Sequence, residues 1–110
     1  MFNHNPEVTP HDAATRAEGT LLIDVREPDE WTAGHAPGAI HIPLGTLTAT
    51  AVSVGVSVMC ICRTGGRSSK ATTILRKGGV NAANVTGVMT AWAEADLPVV
   101  RDDATFGIVA

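Results

Sequence analysis

Short apolar runs alternate along this chain with stretches of helical spacing, and glycines or prolines separate the two. Thr20-Leu21-Leu22-Ile23-Asp24-Val25 and Val56-Ser57-Val58-Met59-Cys60-Ile61 have strand length and are apolar enough to be covered on both faces. Glu7-Val8-Thr9-Pro10, Ala39-Ile40-His41-Ile42 and Asn84-Val85-Thr86 read as shorter extended pieces. Helical signals fall between them. Thr9 is an N-cap candidate with Pro10 at the first helical position and Asp12 at the third, and the helix is expected to run to about Ala17, before Gly19. Glu27-Pro28-Asp29-Glu30-Trp31 opens a short acidic helical turn, stopped by Gly34. A Thr/Ala-rich segment follows Pro43 to about Ala51. From Arg67 to Lys77, Ala71, Ile74 and Leu75 fall at i, i+3, i+4, with Gly78-Gly79 as the stop. Val88, Ala91, Trp92 and Ala95 mark one face of a last helix. The tail from Arg101 ends on the apolar Phe106-Gly107-Ile108-Val109, for which disorder, docking on its own domain and docking on a neighbour are all open.

Strands alternating with helices predict an α/β fold: a central, mostly parallel sheet with helices on both faces. The 110 residues suit one domain, residues 1–110, with a core of about 7–100 and a tail over 101–110. Within it, the apolar run ending at Ile61 leads to Cys62, then to the Gly-rich basic loop Arg63-Thr64-Gly65-Gly66, then to a helix start at Arg67-Ser68. The sulfur therefore sits at the carboxyl end of a central strand, where open α/β sheets bind ligands. Loop N–H groups converge there and the helix dipole adds partial positive charge. A thiolate or oxyanion at that spot is stabilised, so Cys62 is the candidate nucleophile.

Charge sharpens this picture. The chain is acidic overall, at net −3, yet no Asp or Glu lies between Trp31 and Ala93. That stretch holds Arg63, Arg67, Lys70, Arg76 and Lys77, five of the eight Lys and Arg residues. A locally positive region around the candidate nucleophile favours small anions. Net acidity without interleaved basic and aromatic residues argues against a nucleic-acid partner. Cys60 and Cys62 are the only cysteines, too close for a disulfide framework, which fits a reducing compartment. Neither a signal peptide nor a membrane-spanning run is read, and a cytoplasmic protein is expected.

Three blocks, in order, resemble a single-domain rhodanese, a thiosulfate sulfurtransferase-like domain. The first is Leu22-Ile23-Asp24-Val25-Arg26-Glu27 with Glu30-Trp31 and Gly34-His35-Ala36-Pro37-Gly38-Ala39-Ile40-His41-Ile42-Pro43. The second is Cys62-Arg63-Thr64-Gly65-Gly66-Arg67-Ser68, and the third is Asn84-Val85 to Gly87 with Ala91-Trp92 and Leu97-Pro98-Val99. The resemblance covers roughly Val8 to Val100. It implies a cysteine persulfide on Cys62, formed from a sulfane donor such as thiosulfate and discharged to cyanide or a thiol. It implies a binding loop of Arg63, Thr64, Gly65, Gly66, Arg67 and Ser68, whose N–H groups hold the persulfide while the arginines meet an anionic donor, with tying down the loop or helix start left open as the alternative for Arg67. No cofactor and no metal is implied. A protein sulfur donor or acceptor is a possible further partner.

Other residues divide between chemical and structural readings. Cys60 is two residues from Cys62 on the same strand face, and core packing is preferred over a resolving thiol. Asp24 with Arg26, and His35 within its turn, are expected to be structural and not acid–base groups. Arg76 and Lys77 read as a solvated helix end. Two other functions compete. A phosphatase or arsenate reductase needs five residues between cysteine and arginine, whereas four separate Cys62 from Arg67. A non-enzymatic persulfide carrier or partner-binding module is the other.

Overall fold

The computed structural model describes residues 5–63, 66–86, 88–95, 97–103 and 105–109. Its strands are β1 (Glu7–Val8), β2 (Leu21–Asp24), β3 (Ile40–His41), β4 (Ser57–Ile61) and β5 (Asn81–Val85). Its helices are α1 (Pro10–Ala14), α2 (Pro28–Ala33), α3 (Gly66–Lys77) and α4 (Val88–Glu94), with a 3-10 turn at Leu44–Thr46. The sheet order is β1-β5-β4-β2-β3 and every strand pair is parallel. This is the α/β architecture expected from the alternation of elements. α3 packs on β4 and β5, and α1 meets α4.

The two long apolar runs become neighbouring inner strands, with Ile23 opposite Cys60 and Asp24 opposite Ile61. Leu22, Ile23, Val58, Cys60 and Ile61 are buried there, and Ala71, Leu75, Met89 and Trp92 close over them from the helices. Burial at both faces explains why these strands read as runs and not as alternations. No described helix is long and apolar enough to cross a membrane.

Several boundaries differ from the sequence expectation. α1 stops at Ala14 and not near Ala17, because Thr15 leaves helical geometry and its hydroxyl bonds back to His11 O at 2.9 Å. Thr9 caps α1 as expected: its hydroxyl accepts from Asp12 N–H, and Asp12 accepts from Thr9 N–H. β5 begins at Asn81, three residues before the expected start, because Asn81, Ala82 and Ala83 pair with Ser57, Val58 and Met59 of β4. α4 turns Met89 and Trp92 inward, but Ala95 falls beyond its end and is exposed, a correction to the expected apolar face. The side chains of Val88 and Ala91 lie outside the described residues.

The tail is docked on its own domain. His35 and Val100 exchange backbone bonds at 2.8 Å, Gly107 N–H donates to Val99 O, and Ile108 N–H donates to Ala33 O. The backbone is thereby fixed while the side chains of Phe106 and Ile108 point outward and are largely exposed.

Candidate active site

β4 delivers Cys62 to the carboxyl edge of the sheet, and the chain re-enters helix at Gly66, so the sulfur faces the first turn of α3. Ser68 N–H donates to Cys62 Sγ at 3.3 Å, and the thiol lies 3.2 Å from Ser68 Oγ. Both residues are buried. A thiol can donate to that hydroxyl, whereas a thiolate would accept from it and from the N–H together. Behind the site, Met89 N–H donates to Cys62 O at 2.8 Å, which ties the end of β4 to α4.

Of the expected loop, Arg63 is exposed and Gly66 opens α3 at the surface. Thr64 and Gly65 lie outside the described residues. Arg67 is engaged: its Nη1 lies 2.6 Å from Glu30 Oε1 and its Nη2 3.0 Å from Glu30 Oε2. This is a fork-on-fork guanidinium–carboxylate pair. Glu30 Oε1 also accepts Glu27 N–H at 3.0 Å, as part of the capping box of α2. The hydrogen bonds from Arg67, with a smaller contribution from Glu27, hold the Glu30 carboxyl at about 2 although its partial burial opposes this. The bond to Glu30 likewise raises Arg67, and Cys62 lies close enough to add to that rise.

Glu30 is the residue that sequence reasoning missed. In the sequence it stands in an acidic helical turn and in the Glu30-Trp31 part of the first resembling block, with no role attached to it. The missing signal is topological: β2 and β4 are adjacent and parallel, so the helices that follow them start at the same sheet edge. An acid early in one and an arginine early in the other can then meet.

Cys60 is fully buried within β4, and burial pushes its thiol up to about 11 despite a hydrogen bond with Thr72. A buried thiol with such a value is a core residue in chemical terms. Asp24 and Arg26 form a buried pair. Arg26 Nε reaches both carboxylate oxygens at 3.0 Å, and its Nη2 reaches Asp24 Oδ2 at 2.9 Å and Gly34 O at 2.7 Å. The pair thus clamps the end of β2 to the turn after α2. His35 Nδ1–H donates to Trp31 O at 2.9 Å, and the His35 ring stacks on Trp31 at 3.5 Å between centroids. His41 Nε2–H donates to Arg26 O, and its ring also lies parallel to Trp31, at 4.8 Å. These bonds and stacks account for the four residues as a frame that ties α2 and the turn after it to β2 and β3. Arg76 and Lys77 are exposed at the end of α3, but Arg76 is not merely solvated: its Nη1 donates to Ala82 O of β5 at 3.2 Å.

The profile of the rhodanese-like domain matches residues 9–95. A chloroplastic protein of Arabidopsis thaliana named thiosulfate sulfurtransferase 16 is 34% identical over 95 residues, covering 73% of this chain and 79% of its own. A sulfurtransferase of Allochromatium vinosum is 33% identical over 89 residues, covering 78% of this chain and 83% of its own. The crystal structure of a rhodanese-related protein from Thermoplasma volcanium superposes with a TM-score of 0.80 at 29% identity, over 86% of this chain and 97% of that one. Other relatives are longer, and the chain spans about half or less of their length. The chain belongs to the rhodanese-like family, and sulfur transfer is the general function that this membership supports.

Proposed function

We propose that this chain is a thiosulfate sulfurtransferase working through a persulfide on Cys62. The observation that carries the reading is the pair of contacts from Ser68 to Cys62 Sγ at the first turn of α3. A sulfur anion at that position meets an N–H, a hydroxyl and the positive end of a helix.

The Cys62 thiolate attacks the outer sulfur of thiosulfate. A sulfur–sulfur bond forms to Cys62, the donor's own sulfur–sulfur bond breaks, and its electron pair leaves with sulfite. The terminal sulfur of the persulfide then carries the negative charge. Cyanide or a thiolate attacks that terminal sulfur, and Cys62 is released as the thiolate. No proton has to move, so no general base is required, in keeping with the structural bonds made by His35. The exposed Arg63 and the loop of Thr64, Gly65, Gly66 and Ser68 are assigned to the anionic donor. The sequence reading gives Arg67 the same task, but its Nη1 and Nη2 already hold the Glu30 carboxylate.

Four residues between Cys62 and Arg67 enclose less space than a tetrahedral oxyanion needs, which favours sulfur over phosphoryl transfer. Thiocyanate formation from thiosulfate and cyanide, run beside hydrolysis of a phosphate ester, tests the assignment. Activity in the first assay and none in the second is expected. The reverse result would overturn it.

A further inference from the structure

The Glu30–Arg67 pair joins the first turn of α3 to α2, across 37 residues of sequence. It is well fixed on both sides. Glu30 is 15% exposed, and its Oε1 also takes the N–H of Glu27. Trp31, the next residue, stacks with both His35 and His41. Arg67 directly precedes Ser68, whose N–H and Oγ meet Cys62 Sγ. Both Nη atoms of Arg67 face the two oxygens of Glu30, so that edge of the guanidinium is already occupied by a carboxylate.

We propose that Glu30 is a positioning residue for Cys62, holding Arg67 so that Ser68 stays against the sulfur, and that it takes Arg67 out of donor recognition. The inference rests on the sulfur-transfer reading given above. It assigns the charge selectivity of the donor site to Arg63 and the loop N–H groups. Arg67 becomes a clamp on the helix start, and its charge serves Cys62 equally whatever the donor.

The test compares wild type with Glu30→Gln, Arg67→Gln and the charge swap Glu30→Arg/Arg67→Glu. Two donors are used, thiosulfate and an alkyl persulfide, which lacks the sulfonate, and circular dichroism checks that each variant is folded. Glu30→Gln and Arg67→Gln should each lower kcat, by about tenfold or more for Arg67→Gln, by the same factor for both donors and with little change in KM. The charge swap should recover most of the loss. Alkylation of Cys62 by neutral iodoacetamide, located by peptide mapping, should slow in the same order without any sulfur donor present. That measurement separates the two readings: a wild type that takes up no sulfur sinks the sulfur-transfer reading, while the alkylation order still decides the role of Glu30. A KM increase confined to thiosulfate in Arg67→Gln would overturn the inference, because Arg67 would then hold the sulfonate. A folded charge swap that alkylates no faster than the single variants would also overturn it.

Discussion

The backbone N–H of Ser68 points at Cys62 Sγ from 3.3 Å, and the hydroxyl of the same residue lies 3.2 Å from that sulfur. One residue in the first turn of a helix thus supplies two polar contacts to a buried sulfur. Ser68→Ala keeps the N–H and removes the hydroxyl. A hydrogen bond of about 0.5–1.5 kcal/mol is lost, so sulfur uptake from thiosulfate should slow roughly two- to tenfold. Single-turnover uptake followed by intact mass checks this. An unchanged rate would show that the hydroxyl has no part in stabilising the anion.

Cys60 should be chemically silent. Burial holds its thiol up at about 11 against an ordinary 9.0, so at neutral pH it is protonated as well as inaccessible. Cys60→Ser is expected to retain most sulfur transfer and to lose about 1 kcal/mol or more of stability, because a hydroxyl replaces an apolar sulfur in the core. The raised value also has a sign. The folded state prefers the protonated thiol, so this contribution is fully present below pH 9 and is lost as pH rises toward about 11. Cyanide-dependent turnover and urea denaturation of the variant check both halves.

The Glu30–Arg67 pair predicts an acid limb in stability. Glu30 titrates at about 2 when folded and at 4.5 ordinarily, so the folded state prefers the carboxylate. Its contribution is present above pH 4.5 and is lost as pH falls through about 2. For a part-exposed pair it amounts to about 1 kcal/mol. Urea midpoints of wild type and Glu30→Gln should therefore differ at pH 6 and converge toward pH 2. A gap that stays constant over that range would show that the ion pair does not carry the difference.

Gly34 and Gly107 lie back to back where the tail crosses the end of α2. A Cβ on Gly34 would stand 2.5 Å from Ile108 O and 2.7 Å from Val99 Cγ1, and one on Gly107 would stand 2.7 Å from Gly34 Cα. Neither backbone has room to give without breaking the bonds of Ile108 to Ala33 and of Gly107 to Val99. Gly34→Ala should cost about 1–3 kcal/mol and release the tail. Thermal melting reports the first effect, and faster proteolysis between Arg101 and Val109 reports the second.

The parts legible in the sequence are those set by local chemistry. The capping of α1 by Thr9, the two buried strands, and the sequence strand–Cys62–loop–helix all follow from residue type and spacing. The pairing of Asp24 with Arg26 was also readable, since two charges in one apolar run need each other. What escaped depends on distant neighbours. Asn81-Ala82-Ala83 has weak strand preference of its own and becomes strand because β4 lies beside it. The tail carries no periodicity, and backbone bonds from Gly107 to Val99 and from Ile108 to Ala33 dock it. Arg67 looked like a donor ligand because its partner Glu30 lies on another helix, and only the parallel pairing of β2 and β4 brings the two together.

The central claim is that Cys62 carries the transferred sulfur. Its most direct test is the intact mass of wild type, Cys60→Ser and Cys62→Ser after incubation with thiosulfate, with peptide mapping of any addition. One added sulfur is expected on Cys62 in the first two proteins, removed by cyanide as thiocyanate, and none in Cys62→Ser. Sulfur retained by Cys62→Ser, or mapped to Cys60 in the wild type, would contradict it.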